Sequence, residues 1–492
     1  MSKKIQIIAS VLLIAVFALS ACAPAQTATP AAEPTKAETQ PTSAPAVEPT
    51  KPAAEEPKPT EAAPAEPKSS QPGNDVDWEN VDPTGQEVIF WHQHTKERET
   101  GLLELVDAFN KSNEWGITVK AEYQGGYGDI FNKMLPILNT PDAPSLVVAY
   151  QNQAATYQLV KGLVDMTPMV NSAKWGIAEA DQKDFFPGFG AQEGLPNFEN
   201  ARLGLAPNRS MEVLYYNIEW LKELGYDAPP ATPEQFKEMA CKAAKTPFSK
   251  ATAEGSIGYE LSIDTSRLAS FTFAFGGDIF DYQTGMFTLN SEAAVNAATF
   301  LQDLINNGCA TQVTEAYGDQ TDFGAGKTLF TVGSTSGLPF YQKAIDEGAK
   351  FEWSVGAVPH TTPDPVMNVY GASVSIPVTS PEEELAAFLF LKYYTSPEIQ
   401  AKWAEISNYF PVRASVADSM KDYFDKNPTY KTSFEMLKYG HFEPPVPGYD
   451  FVRNEVETTL AAIVDGGDPK ALLDALNEKA NVELEAQLSQ IK

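Results

Sequence analysis

The residues with the types and spacing for chemistry are few. Gly333-Ser334-Thr335-Ser336-Gly337 follows an apolar run at 329–332 and precedes a helical pattern of Leu338, Tyr341 and Ile345. Small hydroxyl residues at a helix start leave backbone N–H groups free to meet an anion, with the helix dipole assisting. The same residues also suit plain N-capping. Arg453 stands in a helical stretch, 451–457, as a lone cation among acids. A guanidinium there either grips an anion through two N–H groups or pairs with a neighbouring carboxylate. His92-x-His94 ends a strand-like run, but only two other histidines exist, His360 and His441. A zinc site needs three or four ligands, so no metal is expected and the pair reads as polar cleft lining. Gly326-Lys327-Thr328 is spaced like the end of a phosphate loop, yet the glycine required five residues earlier is Thr321. A tight turn into a strand is the better reading. There is no Gly-x-Ser-x-Gly and no His-Glu-x-x-His. Acidic pairs such as Glu97 and Glu99 would serve a glycosidase only by facing each other across a cleft. No enzyme activity and no cofactor are expected.

The chain of 492 residues carries a formal charge of −29. That argues against nucleic acid and against an anionic membrane surface, both of which need clustered Lys and Arg. It leaves room for a small ligand, because one buried arginine can dominate a local site. Residues 1–21 read as a lipoprotein signal peptide: Lys3 and Lys4, an apolar run over 5–18, then Leu19-Ser20-Ala21-Cys22. Cys22 is the expected lipidation site, placing the protein outside the cytoplasmic membrane, tethered to it or in a periplasm. Residues 22–78 are rich in Pro, Ala, Thr and Glu and cannot offset their own ordering entropy. Stretched, such a spacer reaches on the order of 150 Å. The other two cysteines, Cys241 and Cys309, form an even pair in an oxidising compartment. They read as a disulfide or as two buried thiols.

The positioning elements begin at 87–92, a short β-branched run. Leu102, Leu105, Val106 and Phe109 then recur at helical spacing. A strand at 117–123, a helix near Met134, and an apolar strand at 146–150 complete a βαβ rhythm. That rhythm implies a parallel sheet with helices on its faces, and ligands beyond the carboxyl ends of its strands. The functional edge would hold 91–95, 124–129 and 151–153. Thr232-Pro233-Glu234-Gln235 is a helix start: a cap, a proline in the first turn and a glutamine able to reach back.

"LYYN" at 214–217, "KELGYDAPPATPEQF", "FGAGKTLF" at 323–330, "AAFLFLKYYTSP" at 386–397, Trp403, "NYFP" at 408–411 and "GGDPKAL" at 466–472 resemble the family 1 extracellular solute-binding proteins of ABC importers. The resemblance covers residues 84–485. It implies an α/β, two-lobed, class II periplasmic-binding fold with a ligand cleft between the lobes. Lobe 1 would comprise 79–207 plus 359–406, and lobe 2 would comprise 208–358 plus 407–492. Within the family the chain is most like the glycerol-3-phosphate-binding proteins, through "FWHQHTKE", "YQGGYGDIF", "NRSMEVLYYN", "GSTSGL", "YGASVSIP", "NYFPV" and "VRNEVE". That likeness implies ligand contacts from Tyr127, Gln151, Ser210, Ser334, Thr335, Gly371, Tyr409 and Arg453. Arg453 and the Ser334–Thr335 helix start would hold the phosphate, with Tyr127 and Gln151 at the glycerol end. Two departures stand out. Gln151 replaces the family's Glu, and 261–273 offers Phe271 and Phe273 where the family has a cleft Trp.

The resulting expectation is a lipid-anchored substrate-binding protein that captures glycerol 3-phosphate or a glycerophosphodiester and hands it to a membrane permease. It would act as a monomer, without nucleic acid. A neutral sugar or oligosaccharide is the alternative ligand. An exported hydrolase and a receptor domain that reports ligand to a sensor are the alternative classes.

Overall fold

The computed structural model describes residues 71–491. The expected signal peptide, Cys22 and most of the spacer lie outside them; the end of the expected spacer, 71–78, is instead packed on the first lobe, with Gln71 bonded to Gln158 and Trp78 buried. Two hydrophobic cores organise the chain. The first draws on Trp78 to Leu205 and returns for Ala372 to Trp403. The second takes Ala206 to Val369 and then Ala404 to Leu484, with Phe189 as an early contributor. The chain therefore changes core at 205–206, between 369 and 372, and at 403–404. The middle change corrects the expected boundary at 359. Residues 357–366 look like a crossing, but the strand after them pairs with the second lobe.

In the first lobe β1 (Glu87–His92), β2 (Thr118–Tyr123) and β3 (Leu146–Ala149) are parallel. The helices α1 (Lys96–Ser112) and α2 (Tyr127–Met134) link them, and α3 (Gln151–Gln158) follows β3. The spaced Leu102, Leu105, Val106 and Phe109 are the buried stripe of α1. β3 is buried at every position, as a central parallel strand is.

The second lobe is built on β4 (Ser210–Asn217). Asn217 ends this strand and caps the next helix, accepting from the Trp220 N–H at 2.9 Å. The helix α4 (Pro233–Ala243) starts as the sequence implies. Thr232 accepts from the Gln235 N–H, and the Gln235 side chain takes the Ala231 N–H at 2.9 Å. Next come β5 (Ile257–Leu261), α5 (Thr265–Ala274), β6 (Ala310–Gln312), β7 (Thr328–Ser334), α6 (Leu338–Glu347), β8 (Trp353–Gly356) and β9 (Met367–Tyr370). Gly326 makes the turn into β7 with φ of +70°, where a side chain would be strained. A disulfide joins Cys241 of α4 to Cys309 beside β6.

The chain then adds β10 (Ser373–Ser375) to the first sheet, antiparallel to β3. After it come α7 (Pro381–Tyr394), α8 (Pro397–Ser407), β11 (Gly440–His441) and α9 (Tyr449–Val464). The strand orders are β10-β3-β1-β2 in the first sheet and β6-β5-β7-β4-β9-β11 in the second, with β8 also on β4. The crossing segments bond to one another: Leu205 with Val374, and Arg209 with Phe410. Among the described residues, no helix is long and apolar enough to cross a membrane.

Candidate functional site

A cavity of about 440 Å³ lies between the lobes. The first lobe supplies the N-terminal ends of α2 and α3, that is Tyr127, Gly128 and Gln151–Gln153, with Tyr150 just before α3. These positions follow β2 and β3 at their carboxyl ends, where a parallel sheet leaves its crevice. The second lobe supplies Glu212 from β4, Asp264, Ser266 and Arg267 at the start of α5, Ser334 at the end of β7, Tyr370, Phe442 and Glu443, and Tyr449, Asp450 and Arg453 from α9.

Four of the eight residues expected at the site line this cavity: Tyr127, Gln151, Ser334 and Arg453. The Tyr127 hydroxyl accepts from Gln93 Nε2 at 2.9 Å, and its ring packs edge-on to Tyr150. Gln151 Nε2 donates to Ser373 Oγ at 2.8 Å, and Ser373 in turn donates to Glu193. Ser334 serves as a helix cap, accepting from the Ser336 N–H at 3.2 Å.

The other four stand behind the wall. Ser210 is buried against the Tyr370 carbonyl. Thr335 is fully buried, and its hydroxyl takes the Met211 N–H at 3.1 Å. Gly371 sits at the crossing between cores, with Asn208 and Arg209 against it. The Tyr409 ring packs under the Arg98 guanidinium at 4.6 Å. His92 and His94 are core residues rather than cleft lining. Burial lowers them to about 4 and about 3 respectively, so both are neutral at pH 7. Phe271 and Phe273 are likewise buried in α5. Among the described residues no cluster of three or more His, Cys, Asp or Glu could hold a metal.

Electrostatics decide what the cavity accepts. Arg453 Nη1 donates to Glu443 at 2.5 Å, and Arg453 Nη2 lies 3.9 Å from Asp264. Burial opposes ionisation of Glu443. The Arg453 guanidinium and bonds from Ser266, Asn368 and Tyr449 nevertheless hold its carboxyl below the usual value. Arg267 is paired with Glu212, which also accepts from the Tyr370 hydroxyl. Asp450 accepts from Asn152 at 2.6 Å and Gln153 at 3.2 Å, across the gap between lobes. Burial raises its pKa, with Gln153 the largest opposing influence. The lining thus holds four carboxylates (Glu212, Asp264, Glu443, Asp450) and two guanidiniums (Arg267, Arg453). Each guanidinium already has a carboxylate.

The sequence alone did not single out these acids. Two signals were present: Glu212 is the one charged residue of β4, a largely buried strand, and Arg267 is the one charged residue of α5. A charged side chain in such a setting is rarely buried unless paired.

Residues 104–432 match the family model described as bacterial extracellular solute-binding protein. The sn-glycerol-3-phosphate-binding periplasmic protein UgpB of Escherichia coli is 24% identical over 414 residues, 80% of this chain and 91% of that protein. The protein of the same name from Yersinia pseudotuberculosis is 23% identical over 419 residues, 81% of this chain and 92% of that one. Among solved structures, UgpB of Mycobacterium tuberculosis in complex with glycerophosphocholine superposes with a TM-score of 0.69 at 21% identity, covering 82% of this chain and 99% of that one. The acarbose-binding GacH receptor of Streptomyces glaucescens gives 0.68 at 18% identity, covering 82% and 99%. The sugar-binding protein MalE of Xanthomonas citri gives 0.68 at 19% identity, covering 82% and 98%.

Proposed function

The chain belongs to the bacterial extracellular solute-binding proteins, and from that premise we propose that it captures a neutral, hydroxyl-rich solute, a sugar or short oligosaccharide, between its lobes. It then presents the closed form to an ABC permease, as a lipid-anchored monomer held through Cys22. The observation that carries the choice of ligand is the pairing of Arg453 with Glu443 and of Arg267 with Glu212. Each guanidinium already has one carboxylate partner, which offsets the charge it could offer an anion. A phosphate monoester brings close to two negative charges. Two like charges ~6 Å apart repel by about 3 kcal/mol at an effective dielectric of 20. Four carboxylates on the wall make that repulsion count. Hydroxyl groups, by contrast, donate to carboxylates and exchange both kinds of bond with Gln151, Asn152, Gln153 and Gln192. The rings of Tyr127, Tyr150, Tyr449 and Phe442 offer apolar faces to the C–H side of a sugar.

This reverses the order of ligands expected from the sequence. A second reading keeps glycerol-phosphate chemistry in the form of a diester with a cationic head. It is favoured because Arg453 and Ser334 share the cavity, and because Arg453 Nη2 has no carboxylate closer than the 3.9 Å to Asp264. The acids would then face the cation.

Calorimetric titration with maltose, glycerophosphocholine and glycerol 3-phosphate separates these readings. Micromolar binding, about −8 kcal/mol, is expected for maltose. Binding of glycerophosphocholine alone would select the second reading, and tightest binding of glycerol 3-phosphate would contradict both.

A further inference from the structure

A second cavity of about 460 Å³ adjoins the polar cleft. Its walls include Phe186, Phe189, Phe434 and Leu437. It shares three wall residues with the cleft: Gln192, Val369 and Phe442. Phe186 packs on Phe189 at 5.2 Å and on Phe434 at 5.9 Å. Phe186 precedes the short helical turn Pro187–Ala191, which carries Phe189, and meets the helix Pro428–Glu435 at Phe434; β9 contributes Val369 to both cavity walls. The charged residues of the wall, Glu435 and Lys438, are both exposed.

The two cavities differ in chemistry. The cleft offers carboxylates, amides and hydroxyls. The side cavity offers mainly rings and aliphatic groups, so water inside it finds few of the two to four polar partners that hold an ordered molecule. Displacing such water with an apolar group is favourable.

We propose that this side cavity receives an alkyl or aryl substituent carried by the solute whose polar part sits in the cleft, so that the preferred ligand is an amphipathic glycoside. The proposal rests on the neutral hydroxyl-rich reading of the cleft. It adds specificity: Phe442 and Val369 stand where the polar and apolar parts of one molecule would join.

The test compares octyl β-D-glucoside, below its micelle concentration, with methyl β-D-glucoside by calorimetry on the intact protein. N-phenyl-1-naphthylamine, a neutral fluorophore that brightens in apolar surroundings, serves as a separate probe of the side cavity. The octyl glycoside is expected to bind at least tenfold more tightly than the methyl glycoside. It should displace the fluorophore, and the methyl glycoside should not. Leu437→Asp and Phe186→Ser alter half-buried wall positions independently. Each is expected to bring the octyl glycoside down to the affinity of the methyl glycoside, leaving the latter unchanged. Equal affinities for the two glycosides, or a gain that survives both substitutions, would overturn the proposal. Binding of the fluorophore without either glycoside would retain the apolar cavity and overturn the sugar reading of the cleft. Binding of neither probe nor glycoside would overturn both.

Discussion

Arg453 has two roles in one position: its guanidinium faces the cleft and neutralises the buried Glu443. Removing one partner of such a pair leaves an uncompensated charge, at a cost of about 3 kcal/mol. Arg453→Ala is therefore expected to lower the melting temperature even without solute. An unchanged melting curve would show that the pair does not form in solution. Glu260 gives a pH signature. Burial raises its pKa from 4.5 to about 7, partly countered by the Thr328 hydroxyl. The folded state thus holds a proton that the unfolded chain releases earlier, and Glu260 weakens the fold progressively as pH rises from 4.5 to about 7. Glu260→Gln should raise stability at pH 8 and make no difference below pH 4.5, read from denaturant midpoints at several pH values. Legibility was uneven at this scale. Tyr127, Gln151, Ser334 and Arg453, which the resemblance implies as ligand contacts, all line the cavity. Glu443 was not singled out, because it lies in an irregular stretch ten residues before its partner. Thr335 was misplaced because a hydroxyl at a helix start serves a ligand or its own backbone equally well, and here it takes the Met211 N–H.

At the scale of elements, α3 and α9 meet across the cleft through Asn152, Gln153 and Asp450. Bonds that form only while the two lobes are together favour the closed form over an open one. Asp450→Ala should enlarge the radius of gyration of the solute-free protein in small-angle scattering. An identical curve would remove Asp450 from that role. The disulfide ties α4 to Cys309, just before the strand β6, across a sequence separation of 68, worth up to about 4 kcal/mol in the chain-entropy model. The Cys241→Ser, Cys309→Ser double variant should lose up to that much. Two reactive thiols in the unreduced, denatured wild type would contradict the bond. Most elements were legible from periodicity: the α1 stripe, the apolar β3 and the capped start of α4 each follow from local chemistry. The lobe boundary at 359 was not. His360-Thr361-Thr362-Pro363-Asp364-Pro365 has the composition of a linker, yet it is a surface turn between β8 and β9, which both pair with β4. The resemblance implied a crossing at 359, and the pairing of β9 with β4 puts it after Val369 instead.

For the whole molecule, the proposed neutral solute is one that the acidic lining of the cleft does not repel. Closing on it shifts a population between open and closed forms by as much as the solute prefers the closed one. The cavity walls come from both lobes, so a bound solute must protect both. Hydrogen–deuterium exchange with the solute that titrates, at 100 times its dissociation constant, reads this directly. Amides at 127–131 and 151–155 on one wall, and at 265–268 and 449–453 on the other, are expected to slow together, consistent with about 2.7 kcal/mol of added stability. Protection confined to one lobe, or absent from both walls while the solute is bound, would contradict capture between the lobes.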